Sequence, residues 1–296
     1  MTNTIHNDLL GTETLFLDTG NYRTRVITSK NDNIPLILLH GGGGHAEAYS
    51  RTIAPLSDAA WTIAPDFIWH GMSSKPDYWP DDVKADRHWL NQFTDQILEL
   101  MDHLKIERAV IEGESLGGWI AMDMGVNHPD RVAGLVLNTS WGMALDPEKV
   151  HEGAADLDAL RETSVNALKN LRKEDIRKRM DWLMPLGGVT DELVETRFRL
   201  WSQPDTRDAL LEYYDRLFRP HIRDYYFTEE DLARIQARTL VLWTDSNPIH
   251  GVDAGERMAE VIPDADLVVM KGCAHWPQWE KPEEHDDAVR KFIRTL

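Results

Sequence analysis

Ser115 lies in Gly113-Glu114-Ser115-Leu116-Gly117, a G-x-S-x-G spacing that runs on into Gly118. This is the nucleophile-elbow pattern: small residues two positions to either side let the backbones pass while a strained turn holds the hydroxyl out. A serine hydroxyl is a weak nucleophile until a base takes its proton, so the chemistry also needs a histidine. The chain has twelve histidines. His275 lies in Lys271-Gly272-Cys273-Ala274-His275-Trp276-Pro277, just after the apolar run Leu267-Val268-Val269-Met270, and is the expected base. His40, His45, His70, His88 and His250 lie near the ends of other runs and read as structural or pocket-lining. Attack on a carbonyl puts negative charge on its oxygen, which needs two oriented N–H donors. Leu116, next after the serine, offers one. Gly42 or Gly43, in His40-Gly41-Gly42-Gly43-Gly44, offers the other, because a missing side chain lets the backbone come close. No Lys-Ser/Thr follows these glycines, which sets them apart from a phosphate-binding loop.

These residues need elements to position them. Arg108-Ala109-Val110-Ile111 reads as a buried strand before the elbow, and Trp119 to Met124 as a helix after it. Thr14–Asp18 and Tyr22–Thr28 read as two short strands, with a hairpin turn at Gly20-Asn21. Pro35–His40, Trp61–Asp66, Val132–Leu137, Thr239–Trp243 and Leu267–Met270 are further apolar runs of strand type. Asp86–Leu104, Ala254–Ile262 and His285–Leu296 read as helices. Such β-α alternation predicts a mostly parallel sheet with right-handed crossovers. The alternation stops near Trp141 and resumes after about Tyr226. The stretch between is helical, charged and poor in strands, so residues 141–228 are expected to form a helical lid inserted into a core of 1–140 and 229–296.

Composition narrows the function classes. Of 296 residues, 42% are hydrophobic and 28% charged, which predicts a large buried core. The formal net charge of −18 argues against a nucleic-acid partner, which demands a basic surface. One cysteine, Cys273, excludes an intramolecular disulfide and a Cys-rich zinc site. The first eight residues carry neither a basic n-region nor an apolar h-region, and no run approaches the roughly 18 apolar residues of a membrane span. The expectation is a cytoplasmic enzyme with a small-molecule substrate, no membrane partner, no cofactor and no metal.

The serine elbow, the glycine loop and a last-placed histidine resemble the α/β-hydrolase superfamily, in which the histidine follows the last strand. Within it, the chain is similar to the meta-cleavage product hydrolases, which cut a carbon–carbon bond in ring-fission products of aromatic degradation. The most specific piece is Gly272-Cys273-Ala274-His275-Trp276-Pro277-Gln278-Trp279-Glu280, close to that family's G/K-C-G-H-W-x-Q-W-E. His40-Gly41-Gly42-Gly43 resembles its oxyanion loop, and Asp191–Arg197 resembles the stretch whose arginine holds the substrate carboxylate. The resemblance implies an eight-stranded, mostly parallel sheet flanked by helices. It also implies a 2-hydroxy-6-oxo-dienoate-like substrate, Arg197 as an anion clamp and Trp276 as a pocket wall. Trp182 and Trp201 are lid aromatics that could line the same pocket. The family often assembles through sheet-edge or helix contacts, so a homo-oligomer is compatible with it.

Three positions depart from the family pattern. The residue before the nucleophile is usually asparagine there and is Glu114 here. The Gly-Gly-Gly-Pro-Gly loop reads Gly41-Gly42-Gly43-Gly44-His45, with no asparagine through Arg51. The triad acid of W-G-x-x-D falls on Asn247 in Trp243-Thr244-Asp245-Ser246-Asn247. Asparagine orients an imidazole but cannot stabilise its positive charge; in serine proteases the matching change costs about 10⁴ in kcat, roughly 5.4 kcal/mol. Asp245 would serve as the acid if the loop is shifted and is taken slightly ahead of a Ser-His-Asn arrangement, with Asp253 a distant third. A carboxylesterase or lactonase is the alternative reading. A hydrolase-fold ligand-binding protein with weak turnover is a further one, favoured only by Asn247.

Overall fold

The computed structural model describes residues 4–78, 88–150 and 157–296. Its strands are β1 (Glu13–Asp18), β2 (Arg23–Ser29), β3 (Pro35–Leu39), β4 (Trp61–Pro65), β5 (Ala109–Glu114), β6 (Val132–Asn138), β7 (Met143–Ala144), β8 (Phe227–Thr228), β9 (Thr239–Thr244) and β10 (Ala265–Met270). Eight of them make one sheet in the order β1-β2-β4-β3-β5-β6-β9-β10. β2 runs antiparallel to both β1 and β4. All other pairings in the sheet are parallel. β5 and β9 are buried at every position, as strands covered on both faces must be. The β1–β2 hairpin turns at Gly20, whose φ of 116° suits glycine.

Four helices that pack on the core are close to the expected ranges. They are Asn91–Leu104, Leu116–Asn127, Val252–Val261 and Pro282–Ile293. The first was expected from Asp86, which lies outside the described residues. The Leu116–Asn127 helix is buried almost throughout, because it sits under the sheet and touches both β5 and β6.

Between β6 and β9 the chain forms the helices Leu157–Asn170, Lys173–Leu183, Asp191–Trp201 and Pro204–Leu217. Each carries an apolar stripe, and the helices pack on one another. Arg179 and Trp201 tie them to the Gly42 and Gly43 carbonyls of the loop after β3. The short parallel pair β7–β8, with Met143 opposite Phe227, joins the entry and exit of this insertion. The insertion lies over the end of β5, where Ser115 sits, and lines one cleft with it.

Candidate active site

Ser115 follows the last residue of β5 and immediately precedes the Leu116–Asn127 helix. Its φ of 54° and ψ of −113° are strained for a non-glycine residue, at a cost of about 1–3 kcal/mol. The surrounding glycines make the turn feasible. A Cβ on Gly113 would sit 2.0 Å from the Gly117 carbonyl oxygen, and one on Gly117 would sit 2.1 Å from that of Leu39. The turn is pinned by the Ser115 N–H, which donates to the Asn138 carbonyl at 3.2 Å. The Ser115 carbonyl accepts from Trp119 at 3.2 Å and Trp141 at 3.1 Å. Ser115 is 8% exposed and lines a cleft between the sheet and the insertion.

His275 reaches the same cleft from the loop after β10. Its carbonyl accepts from Thr139 Oγ1 at 2.9 Å, and its N–H donates to the Leu183 carbonyl of the insertion at 3.2 Å. Nδ1 lies 2.9 Å from Asn247 Oδ1. That oxygen also accepts from the Ile249 N–H at 3.2 Å. A backbone N–H can only donate, so Asn247 must present oxygen here and Nδ1 must carry the hydrogen. Nε2 is then the free base on the cleft side.

The expectation for Asp245 is corrected. Asp245 Oδ1 accepts from the Gly272 N–H at 2.8 Å and from Ser246 Oγ at 3.1 Å, on the exposed side of the β9–β10 edge. The reason is local. Asp245 is the first residue past β9, where its N–H still bonds to the Met270 carbonyl, and the chain needs two more residues to come round to the imidazole. Asp253 instead opens the helix Val252–Val261, where its carboxylate accepts from the Ala254 N–H.

Of the expected oxyanion donors, Gly42 and Leu116 line the cleft. The Leu116 N–H opens a helix, so it has no intrahelical acceptor. Gly43 faces the insertion, with its carbonyl accepting from Trp201 Nε1 at 3.2 Å. Trp201 and Trp182 therefore serve packing, and Trp141 and Phe218 take the apolar wall expected of them. Trp276 lines the cleft as expected.

Glu114 is fully buried on the cleft wall, with Oε1 3.1 Å from His275 Nε2. Burial pushes its carboxyl up to about 8 and the His275 imidazole down to about 3. Both groups are thus neutral near pH 7. Arg197 is also fully buried, and none of its three side-chain nitrogens has a hydrogen-bonded partner among the described residues. It lies between the rings of Trp201 at 5.5 Å and Trp276 at 5.1 Å, and burial lowers it to about 9. The cleft wall itself carries a different guanidinium, Arg179, which donates to the Gly42 carbonyl at 3.1 Å and Tyr214 Oη at 2.9 Å. Sequence reasoning missed Arg179; one arginine among several on a charged helix gives no signal of its own.

The sequence model of the alpha/beta hydrolase fold family matches residues 34–282. The chain belongs to that family. A 2-hydroxymuconate semialdehyde hydrolase of Pseudomonas putida is 26% identical over 275 residues, which span 92% of this chain and 91% of that protein. A 2-hydroxy-6-oxononadienedioate/2-hydroxy-6-oxononatrienedioate hydrolase of Escherichia coli O139:H28 is 27% identical over 265 residues, 87% of this chain and 86% of that one. Among solved structures, a 2-hydroxy-6-oxo-6-phenylhexa-2,4-dienoate hydrolase from Rhodococcus sp. strain RHA1 superposes with a TM-score of 0.80 at 23% identity, covering 96% of this chain and 99% of that one. A bacterial membrane phospholipase A reaches 0.79 at 22% identity, covering 97% of this chain and 88% of that one. The α/β-hydrolase fold is therefore shared across different chemistries, and the substrate must be argued from the site. Among the described residues no group of three or more His, Cys, Asp or Glu side chains could hold a metal, and no helix is long and apolar enough to cross a membrane.

Proposed function

We propose that the chain is a cofactor-independent serine hydrolase of a small, largely apolar carbonyl substrate. The favoured reaction is C–C bond hydrolysis of a meta-cleavage-type, 2-hydroxy-6-oxo-dienoate-like product. One observation carries the hydrolase reading: an elbow serine and an imidazole with its Nδ1 hydrogen fixed share one cleft with Gly42 and the first N–H of a helix. Ser115 Oγ attacks the carbonyl carbon as its proton passes to His275 Nε2. The Gly42 and Leu116 N–H groups hold the oxyanion. The imidazolium returns the proton to the leaving carbon or oxygen, and water repeats the sequence on the acyl-enzyme.

The C–C preference is supported by the printed activities of the relatives, which match over most of their lengths. It is also supported by Arg197, a buried cation that lacks the anionic partner such a site normally supplies. A substrate carboxylate would be that partner, and Trp276 would pack beside it. Glu114 supports the second reading, a carboxylesterase or lactonase, because once it has given up its proton a carboxylate on the cleft wall suits a neutral ester better than an anionic dienoate.

Rates on a p-nitrophenyl ester and on a dienoate ring-fission product, measured side by side, separate the two readings. A serine-directed phosphonate should add its mass at Ser115. An unlabelled Ser115 in folded protein removes the hydrolase reading and leaves a ligand-binding protein.

A further inference from the structure

Glu114 is a carboxyl set between the Gly41 backbone and the catalytic base. It is fully buried, and among the described residues no side chain donates a hydrogen bond to either oxygen. Oε1 lies 3.1 Å from His275 Nε2. The far side of that ring is already settled: Asn247 Oδ1 is held as an acceptor by the Ile249 N–H, so the hydrogen of neutral His275 is on Nδ1. Nε2 then presents a bare lone pair to Glu114. A lone pair and a carboxylate oxygen this close repel in a dry cleft, whereas a proton between them makes the contact attractive. The distance therefore requires one proton on the pair, whichever atom carries it.

We propose that Glu114 is a catalytic proton carrier: Glu114 and His275 hold one proton between them, and Glu114 supplies from the nucleophile side the counter-charge that Asn247 lacks. This inference rests on the serine-hydrolase reading above. In the resting site the proton is on Glu114 and is donated to Nε2. Passing that proton, through Nε2, to a substrate carbon or leaving oxygen leaves a carboxylate and a neutral imidazole with its lone pair free. Ser115 Oγ–H, or a water in its place, then gives its proton to Nε2 as the oxygen bonds to the carbonyl carbon. The imidazolium so formed lies against the Glu114 carboxylate. One proton has left the pair and one has entered, so the pair ends as it began.

The order of use depends on the substrate. A substrate that must be protonated before its C–C bond breaks uses the filled pair. A simple ester needs the base first, so it needs the pair emptied. The charged and titratable groups around the pair are Arg179 and Arg197 from the insertion, with Tyr213, Tyr49 and His250. Burial outweighs the Gly41 N–H and the two guanidiniums and holds the Glu114 proton to about pH 8. Ester turnover should accordingly climb through that pH.

The experiment uses the whole chain, with Glu114→Gln alone and combined with Asn247→Asp. kcat and KM on the ester and the dienoate are followed from pH 6 to 10, and the ¹⁵N resonances of the His275 imidazole are followed in resting protein. Glu114→Gln should abolish the rise near pH 8 and lower dienoate kcat by roughly 100-fold or more, with KM moving by less than about threefold. Asn247→Asp in that background should restore at least about tenfold, because it returns a carboxylate to the other side of the ring. In wild type the Nε2 resonance should move across this range. A flat Nε2 resonance in wild type overturns the proposal without any variant. So does a Glu114→Gln enzyme with an unchanged pH profile and kcat within about threefold. Wild type that neither turns over nor labels at Ser115 removes the hydrolase reading instead, and the resonance still decides the pair.

Discussion

Asn247→Asp places a carboxylate where the site now has an amide, and its effect can be sized. The exchange puts negative charge 2.9 Å from His275 Nδ1. Unit charges about 4 Å apart attract by roughly 4 kcal/mol at the effective dielectric of about 20 found near protein surfaces. At 1.36 kcal/mol per decade that is about 10³ in rate. The serine-protease loss of about 10⁴ for the reverse change includes a wrong imidazole tautomer. Here the Ile249 N–H already secures the right one, so only the charge is to be gained. Glu114 shares the same task, which trims the gain further. We expect Asn247→Asp to raise kcat on a p-nitrophenyl ester by about 10- to 1,000-fold at neutral pH, with little change in KM. Stopped-flow or steady-state release of p-nitrophenolate, at matched secondary structure, measures it. An unchanged or lower kcat in folded, phosphonate-labelled protein refutes the idea that missing charge at this position limits the base.

Asp245→Ala should leave kcat within about threefold, since its carboxylate serves the Gly272 turn and not the imidazole. His285 is buried between Asp286 Oδ1 at 2.9 Å and Glu112 Oε1 at 2.8 Å. Burial alone would lower it, but the two carboxyls, Glu112 foremost, outweigh that and raise it to about 10. Burial also pushes Asp286 up, so the imidazolium is best viewed as countered mainly by Glu112. A folded-state value above the unfolded one of about 6.5 means the stabilisation is complete below that pH and is lost as pH rises toward 10. Urea midpoints measured from pH 6 to 10 should fall steadily, and His285→Ala should flatten the slope while costing about 3–5 kcal/mol. Arg197→Met should leave thermal stability unchanged or higher, because it removes a buried cation without partners, yet weaken binding of a carboxylate-bearing product by tenfold or so. Gly117→Ala should prevent soluble expression or cost several kcal/mol, since its Cβ would meet the Leu39 carbonyl at 2.1 Å.

The parts of this protein that depend on local pattern were legible in the chain. Apolar runs marked the parallel strands because both faces of such strands are covered, and G-x-S-x-G marked the elbow because only glycine clears the Gly117 and Leu39 carbonyls. His275 was recognisable because it follows the last apolar run. What depends on where side chains meet across the fold was decided only by tertiary structure. Asp245 and Asn247 are two residues apart in one loop, and no propensity says which one turns inward; the Gly272 and Ile249 amides decide it, from opposite sides. Arg179 reaches the Gly42 carbonyl from 137 positions away, so its role exists only once the insertion has folded over the sheet. Glu114 is adjacent to Ser115 in sequence, yet its charge state follows from complete burial and from an imidazole 3.1 Å away. Residue type names the chemistry that a position can perform, but solvent exclusion and the neighbours brought by the fold set whether a carboxyl there is a charge, an acid or a store for one proton.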